Sequence, residues 1–287
     1  MSPIVTAFFD APTNTVSYVV QDPGSRACAI IDAVMNFDYA AGRVSHHSAD
    51  AIIALIRERE LSVSWLIETH VHADHLSAAP YLRQILGGQI GIGAEITVVQ
   101  ESFGSIFAEG SDFARDGSQF DRLFRDGETY LIGGMTALAM HTPGHTPACM
   151  THVIGDTAFV GDTLFMPDGG SARADFPGGD ARQLYRSIRK ILALPAETRL
   201  FVCHDYGPNG RAIRWQTSVA EQRAHNIHSH DGVSEDQFVT LREARDKTLG
   251  MPTLMFPAIQ INMRAGLLPP ADRNGKRFLK IPLTVDL

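Results

Sequence analysis

The stretch "ETHVHADHLSA" (68–78) sets His70, His72, Asp74 and His75 within six positions, directly after the apolar run "SWLI". The chain has 12 histidines in 287 residues, so a quarter of them fall in this window. A dry core does not hold four such polar groups unpaired. Three further segments repeat the pattern of an apolar strand followed by a polar ligand type. "TPGHTP" (142–147) holds His145 between two prolines that restrict its backbone. In "FVGDTLF" (159–165), Gly161 gives Asp162 close backbone access to a crowded site. "TRLFVCHDYG" (198–207) sets His204 just past its apolar strand. Open sheets collect ligand groups at strand ends. Imidazole and carboxylate together suit Zn²⁺ or Fe²⁺, and two histidines with one carboxylate leave positions open for chemistry. The other dense histidine patch, His225, His228 and His230 in "AHNIHSHDG", has no apolar strand beside it and reads as a surface helix end or loop.

The rest of the chain alternates strand and helix patterns, which favours α/β layers. "VSYVVQD" and "ACAIIDAV" read as strands around the turn "DPGSR". "SADAIIALIRERELS" has Ile52, Ile53, Leu55 and Ile56 at helical spacing, with Ser48 as its expected N-cap. A helix around "APYLRQIL" stops at Gly87–Gly88, and "DARQLYRSIRKILALP" is an amphipathic helix capped by Asp180. Residues 95–128 hold a helix and a long loop, and the Pro-rich tail 252–287 has no clear pattern.

Composition narrows the class. Hydrophobic residues at 44% and charged residues at 20% describe a globular chain, not a disordered one. No apolar run approaches the length of about 20 residues that a membrane helix needs, and no basic region precedes the N-terminal apolar residues. Three separated cysteines fit a reducing cytoplasm better than a disulfide scaffold. A net charge of −7 argues against nucleic-acid binding. Residues 173–223 nonetheless carry nine Lys/Arg against five Asp/Glu. That zone reads either as a solvated helix face, the simpler case, or as the seat of a small anionic ligand.

In order and spacing, "THVHADH" (69–75), "HTPGHTP" (141–147), "GDTLF" (161–165) and "CHDY" (203–206) resemble the metallo-β-lactamase superfamily over roughly residues 15–210. The resemblance implies an α/β fold, a four-layer αββα sandwich, with a metal at the loop edge of its two sheets. It implies a catalytic domain over 1–225 and a C-terminal extension, 226–287, packed on that domain. "GGSARADFPGGDARQLYRSI" (169–188) and "INMRAG" (261–266) further resemble the persulfide dioxygenases, relatives of glyoxalase II. Glyoxalase II-like thioesterases carry a histidine where this chain has Cys149.

By that resemblance one Fe(II) per chain is held by His70, His145 and Asp162. His72, Asp74, His75 and His204 then support these ligands, or bind a second metal as in two-metal relatives. The substrates implied are glutathione persulfide, or a similar small persulfide, and O₂, with sulfite and free thiol as products. Tyr206 positions the thiol carrier. Where some members use an arginine this chain has His228, and Arg223 or a residue of "GRAIRW" (210–215) would substitute; Arg173 is a further anion-facing candidate. The resemblance also implies a homodimer and admits a sulfurtransferase as a separate partner. No protein nucleophile is required, so Cys149 reads as a packed core residue. The competing hypothesis is a hydrolase with two Zn(II), of glyoxalase II or lactonase type, acting on thioesters or lactones. A non-catalytic member of the fold would keep the ligands without turnover.

Overall fold

The computed structural model describes residues 2–283. The first half of the chain forms β1 (Ile4–Asp10), β2 (Thr15–Gln21), β3 (Ala27–Ile31), β4 (Val34–Asp38), β5 (Arg43–Ser45), α1 (His47–Glu58) and β6 (Ser62–Ile67). It continues through β7 (Leu76–Ser77), α2 (Ala79–Leu86), β8 (Gln89–Gly93), α3 (Ile96–Ile106) and β9 (Arg122–Phe124). One six-stranded sheet runs β1-β2-β3-β6-β8-β9, antiparallel at β1-β2-β3 and parallel from β3 onward. The short strands β5-β4-β7 make a small sheet of their own.

The second half gives β10 (Thr129–Ile132), β11 (Met135–His141), β12 (Met150–Ile154), β13 (Thr157–Phe159), α4 (Ala181–Leu192), β14 (Arg199–Phe201) and β15 (Gln216–Ser218). These six strands form a second sheet in sequence order. Its one parallel pair, β13 and β14, is joined through α4. Three helices close the chain: α5 (Val219–His225), α6 (Glu235–Asp246) and α7 (Met255–Asn262).

The two-residue side-chain period of the strands sorts the core into three leaves. Val19, Cys28 and Ile30 pack outward with Ile52 and Ile56 of α1, Leu82 of α2 and Val99 of α3. Their alternating neighbours Tyr18, Val20, Ala29 and Ile31 face the second sheet and meet Phe159 and Phe201. On that sheet's far side, Ala158, Val160, Leu200 and Val202 pack beneath Leu184 and Ile188 of α4. The result is the four-layer αββα sandwich expected from the motifs.

Several local expectations hold. Asp180 caps α4, accepting from Gln183 N at 2.7 Å, and α2 ends at Gly87. Ser48 does not cap α1, which starts one residue earlier, at His47. Asn36 of β4 supplies the acceptor instead, taking the Ser48 N–H at 3.0 Å, while Ser48 Oγ donates to Asp10. The patternless tail contains α7, in which Met255, Pro257, Ala258, Ile259, Gln260, Ile261 and Asn262 are all buried. A helix covered on nearly every side has no polar stripe and so no periodic signal. Phe238 of α6 and Ile259 of α7 enter the outer leaves of the core. The last four residues of the tail lie outside the described residues.

Ile259 tests this packing. Ile259→Ala should cost about 2–5 kcal/mol in urea unfolding, the range for truncating a core aliphatic side chain. A loss below about 0.5 kcal/mol would mean that α7 is not part of the core.

Candidate metal centre

Six chain segments meet at one edge of the sandwich, where β2 begins and β3, β6, β11, β13 and β14 end. A bridge between Thr15 and His204, with Val16 N–H donating to Cys203 O at 2.7 Å, ties the two sheets together there. Past β6 the chain turns through His70, His72, Asp74 and His75, the three histidines fully buried. Asp162 sits in a single 3₁₀ turn after β13. Gly161 enters it at φ +52°, and a Cβ there would lie 2.7 Å from Thr69 Oγ1, so only glycine lets these two segments touch. Gly144, before His145, is pressed against the α4 backbone, where a Cβ would fall 2.2 Å from Leu184 N.

Hydrogen bonds aim each imidazole. His145 Nδ1 donates to Arg173 O at 2.8 Å, which turns the Nε2 lone pair toward Asp162. Thr69 Oγ1 donates to Asp32, leaving His70 Nδ1 (3.0 Å) to donate to it. His70 Nε2 and His145 Nε2 stand 3.8 and 3.7 Å from Asp162 Oδ2. One donor atom from each of these three residues lies within 4.8 Å of the others. Donors about 2.1 Å from a common metal stand roughly 3.0–3.4 Å apart, so the three need close only slightly. Among the described residues, His70 Nε2, His72 Nδ1, His75 Nε2 and Asp162 Oδ1 are buried without any hydrogen-bond partner. Unpaired lone pairs converging in a buried site fit a metal ion and are costly without one.

The surrounding groups are bound to one another. His72 Nε2 lies 3.0 Å from Asp32 Oδ1, and Asp32 also accepts from Thr69 N at 2.7 Å. Burial opposes charge on both members of this pair, yet their contact and the Thr69 donors outweigh it. Asp32 is held low and His72 well above the ordinary imidazole range. His70 goes the other way: burial, then His72 and His145, push it well down, so it is a neutral ligand type. Asp74 Oδ2 accepts from Thr15 Oγ1 and His75 Nδ1, both at 3.0 Å, and lies 3.5 Å from His204 Nε2. Burial resists its ionisation, but His204 and His75 prevail and keep it well below the usual carboxylate range. His204 Nδ1 donates to Asn14 O at 3.2 Å. Asn262 at the end of α7 donates to His72 O and His75 O at 2.9 and 2.8 Å, which fixes the signature loop from 190 residues away.

A cavity of about 900 Å³ opens over Asp162 and His204, and its wall includes Tyr206, Arg173, His228 and Arg245. Tyr206 is 57% exposed and parallel to the His204 ring, with centroids 6.0 Å apart. Arg173 reaches the cavity, but its guanidinium is committed to Asp175 at 2.6 and 2.8 Å and to Gly250 O at 2.7 Å. Arg223 is a miss: it lies on the surface, pairs with Asp231 at 2.9 Å and does not line the cavity. Arg211 of the "GRAIRW" stretch is locked between Asp168 and Asp205. The basic zone as a whole is a solvated, ion-paired face, with Arg182 and Arg186 on Glu235, Arg189 on Asp231 and Lys190 on Asp126.

His228, expected on the surface, is a cavity residue. Its Nδ1 accepts from Ser171 N at 3.0 Å, which leaves the proton on Nε2, and burial followed by Arg242 and Arg245 brings it down to about 4. Asp32 and Glu68 were also missed. "IIDAV" and "LIETH" offer only the hint of an acid at a strand end.

Comparison with known proteins agrees with this fold. The profile of the metallo-beta-lactamase superfamily matches residues 10–204. A probable metallo-hydrolase of Burkholderia pseudomallei is 57% identical over 97% of this chain and 98% of its own length. The mitochondrial persulfide dioxygenase ETHE1 of Homo sapiens is 28% identical over 93% of this chain and 90% of its own. The crystal structure of ETHE1 from Myxococcus xanthus superposes with a TM-score of 0.72 at 28% identity, covering 92% of this chain and all of that one.

Cys149 is buried, hydrogen-bonded to Thr146, and pushed up to about 12 by burial. The native protein should therefore resist iodoacetamide at this position between pH 7 and 9, with labelling read by peptide mass. Rapid modification there would mark it as a reactive thiol and not a core residue.

Proposed function

The chain belongs to the metallo-beta-lactamase superfamily, and we propose that it is a non-haem iron persulfide dioxygenase. The observation that carries this reading is the convergence of His70 Nε2, His145 Nε2 and Asp162. Two imidazoles and one carboxylate form the ligand set of open-sided iron(II) oxygenase sites. Hydrogen bonding of Asp74 to Thr15 and His75, and of His72 to Asp32, supports their role as a surrounding shell. The resemblance to ETHE1 in sequence and fold points to the same chemistry.

When bound, Fe(II) would bring the terminal sulfur and O₂ together and carry electrons between them. One persulfide, one O₂ and one water would give one thiol, one sulfite and two protons. The chain's own residues orient the substrate. Tyr206 flanks the carrier beside His204. Arg245 makes no ion pair among the described residues, and with the Nε2–H of His228 it offers an anion, such as a carrier carboxylate, two donors on one wall. These two take the role first given to Arg223.

A second reading is a hydrolase with two Zn(II). The unpaired His72 Nδ1 and His75 Nε2 favour it, as does the name of the Burkholderia relative.

Anaerobically purified, Fe(II)-loaded protein should consume O₂ and release sulfite when given glutathione persulfide. His145→Ala and Asp162→Asn should abolish both. No O₂ uptake, two zincs per chain and cleavage of a glutathione thioester would establish the hydrolase. Arg245→Ala should raise KM for glutathione persulfide about tenfold and leave kcat nearly unchanged, as expected for one lost charge-assisted contact. An unchanged KM would remove Arg245 from carrier recognition.

A further inference from the structure

We infer that Arg242 and Asp246 of α6 are positioning residues for the metal ligand His145, acting through a single peptide group. This rests on the proposal that His145 is a ligand.

The acceptor of His145 Nδ1 is the carbonyl of Arg173, at 2.8 Å. The N–H of that same peptide unit belongs to Ala174, and it donates to Asp246 Oδ2 at 2.9 Å. A peptide unit is planar and rigid, so fixing its N–H fixes the direction of its C=O. Asp246 is held in turn by Arg242, through Nε at 2.9 Å and Nη2 at 2.7 Å. Arg242 Nη1 also donates to Ser171 O at 3.0 Å, gripping the segment two residues upstream. Both side chains are almost wholly buried, at 2% and 4% exposure.

The sequence of contacts is therefore guanidinium, carboxylate, peptide, imidazole, metal position. Histidine ligands commonly donate their second ring N–H to a carboxylate or a carbonyl, which fixes the tautomer and strengthens the donor nitrogen. Here a carbonyl does so directly and a carboxylate stands behind it. A carboxylate on the N–H end polarises the peptide and makes the carbonyl a better acceptor, since hydrogen bonds in a chain reinforce one another. Arg173 adds a second brace, because its side chain anchors the residue to Asp175 and Gly250 O. Nothing in the sequence pattern predicts this link. Asp246 lies 101 positions after His145, on a helix outside the ligand motifs.

The test measures Co(II) affinity by chelator competition, together with the visible spectrum of the Co(II) protein. Removing Asp246 alone would strand a buried arginine and endanger folding. The informative variant is Arg242→Met/Asp246→Leu, because apolar replacement of a buried ion pair is often neutral or stabilising. It should still melt in one cooperative transition, lowered by a few degrees because Ala174 N–H and Ser171 O lose their partners, while Co(II) binding weakens about tenfold and the Co(II) bands shift. Outer-shell changes typically cost about 10–100-fold in affinity. In a His145→Ala background the same pair of changes should have no further effect.

Unchanged affinity in the double variant would overturn the inference while leaving the ligand assignment intact. So would an equal loss in both backgrounds, which would mark a general structural role. If His145→Ala alone leaves Co(II) affinity and spectrum unaltered, the ligand assignment itself fails and the inference falls with it.

Discussion

Four carboxylates and five imidazoles are crowded at one largely water-free edge of the sandwich, and a cation is what makes that arrangement affordable. Asp32, Glu68, Asp74 and Asp162 face His70, His72, His75, His145 and His204 there. Hydrogen bonds satisfy part of the cluster: His72 has Asp32, Asp74 has Thr15 and His75, and His145 has the Arg173 carbonyl. They leave His70 Nε2, His72 Nδ1, His75 Nε2 and Asp162 Oδ1 without a hydrogen-bond partner among the described residues. Buried lone pairs of this kind cost several kcal/mol unless a proton or a metal takes them up.

The fold holds that edge still. Each sheet brings strand ends to it, and the Thr15–His204 bridge makes the two sheets meet where the ligands leave them. The C-terminal helices brace it from both sides. Asn262 on α7 holds the carbonyls of the signature loop, while the Arg242–Asp246 pair on α6 holds the loop that aims His145. Residues after 225 thus bear on the geometry of the centre as much as on the outer leaves of the core.

The αββα layering and the ligand motifs were legible because each motif is a short polar break at the end of an apolar strand. That contrast survives in one dimension. The α4 helix was legible for a similar reason, with Asp180 as a cap ahead of an amphipathic stripe. Other features have no local contrast to read. Helix α7 is buried on almost every side, so it lacks a polar face. His228 sits in a loop whose neighbours are polar, and only the approach of Ser171 turns it into the cavity. Arg223 stood in a plausible position but found Asp231 eight residues later, and surface arginines with a nearby acid rarely remain free. Asp32 gains its meaning from His72 through a contact across β3 and β6 that spacing alone does not encode, and Glu68 from the turn that brings His72 back to it.

Anomalous diffraction from crystals of the protein loaded with Fe(II) under anaerobic conditions tests the central claim most directly. One iron peak per chain, within bonding distance of His70, His145 and Asp162 and with His72 still on Asp32, is the expected result. A second peak between Asp74, His75 and His204, or an iron bound through His72 Nδ1, would contradict the single-metal centre and favour a two-metal hydrolase.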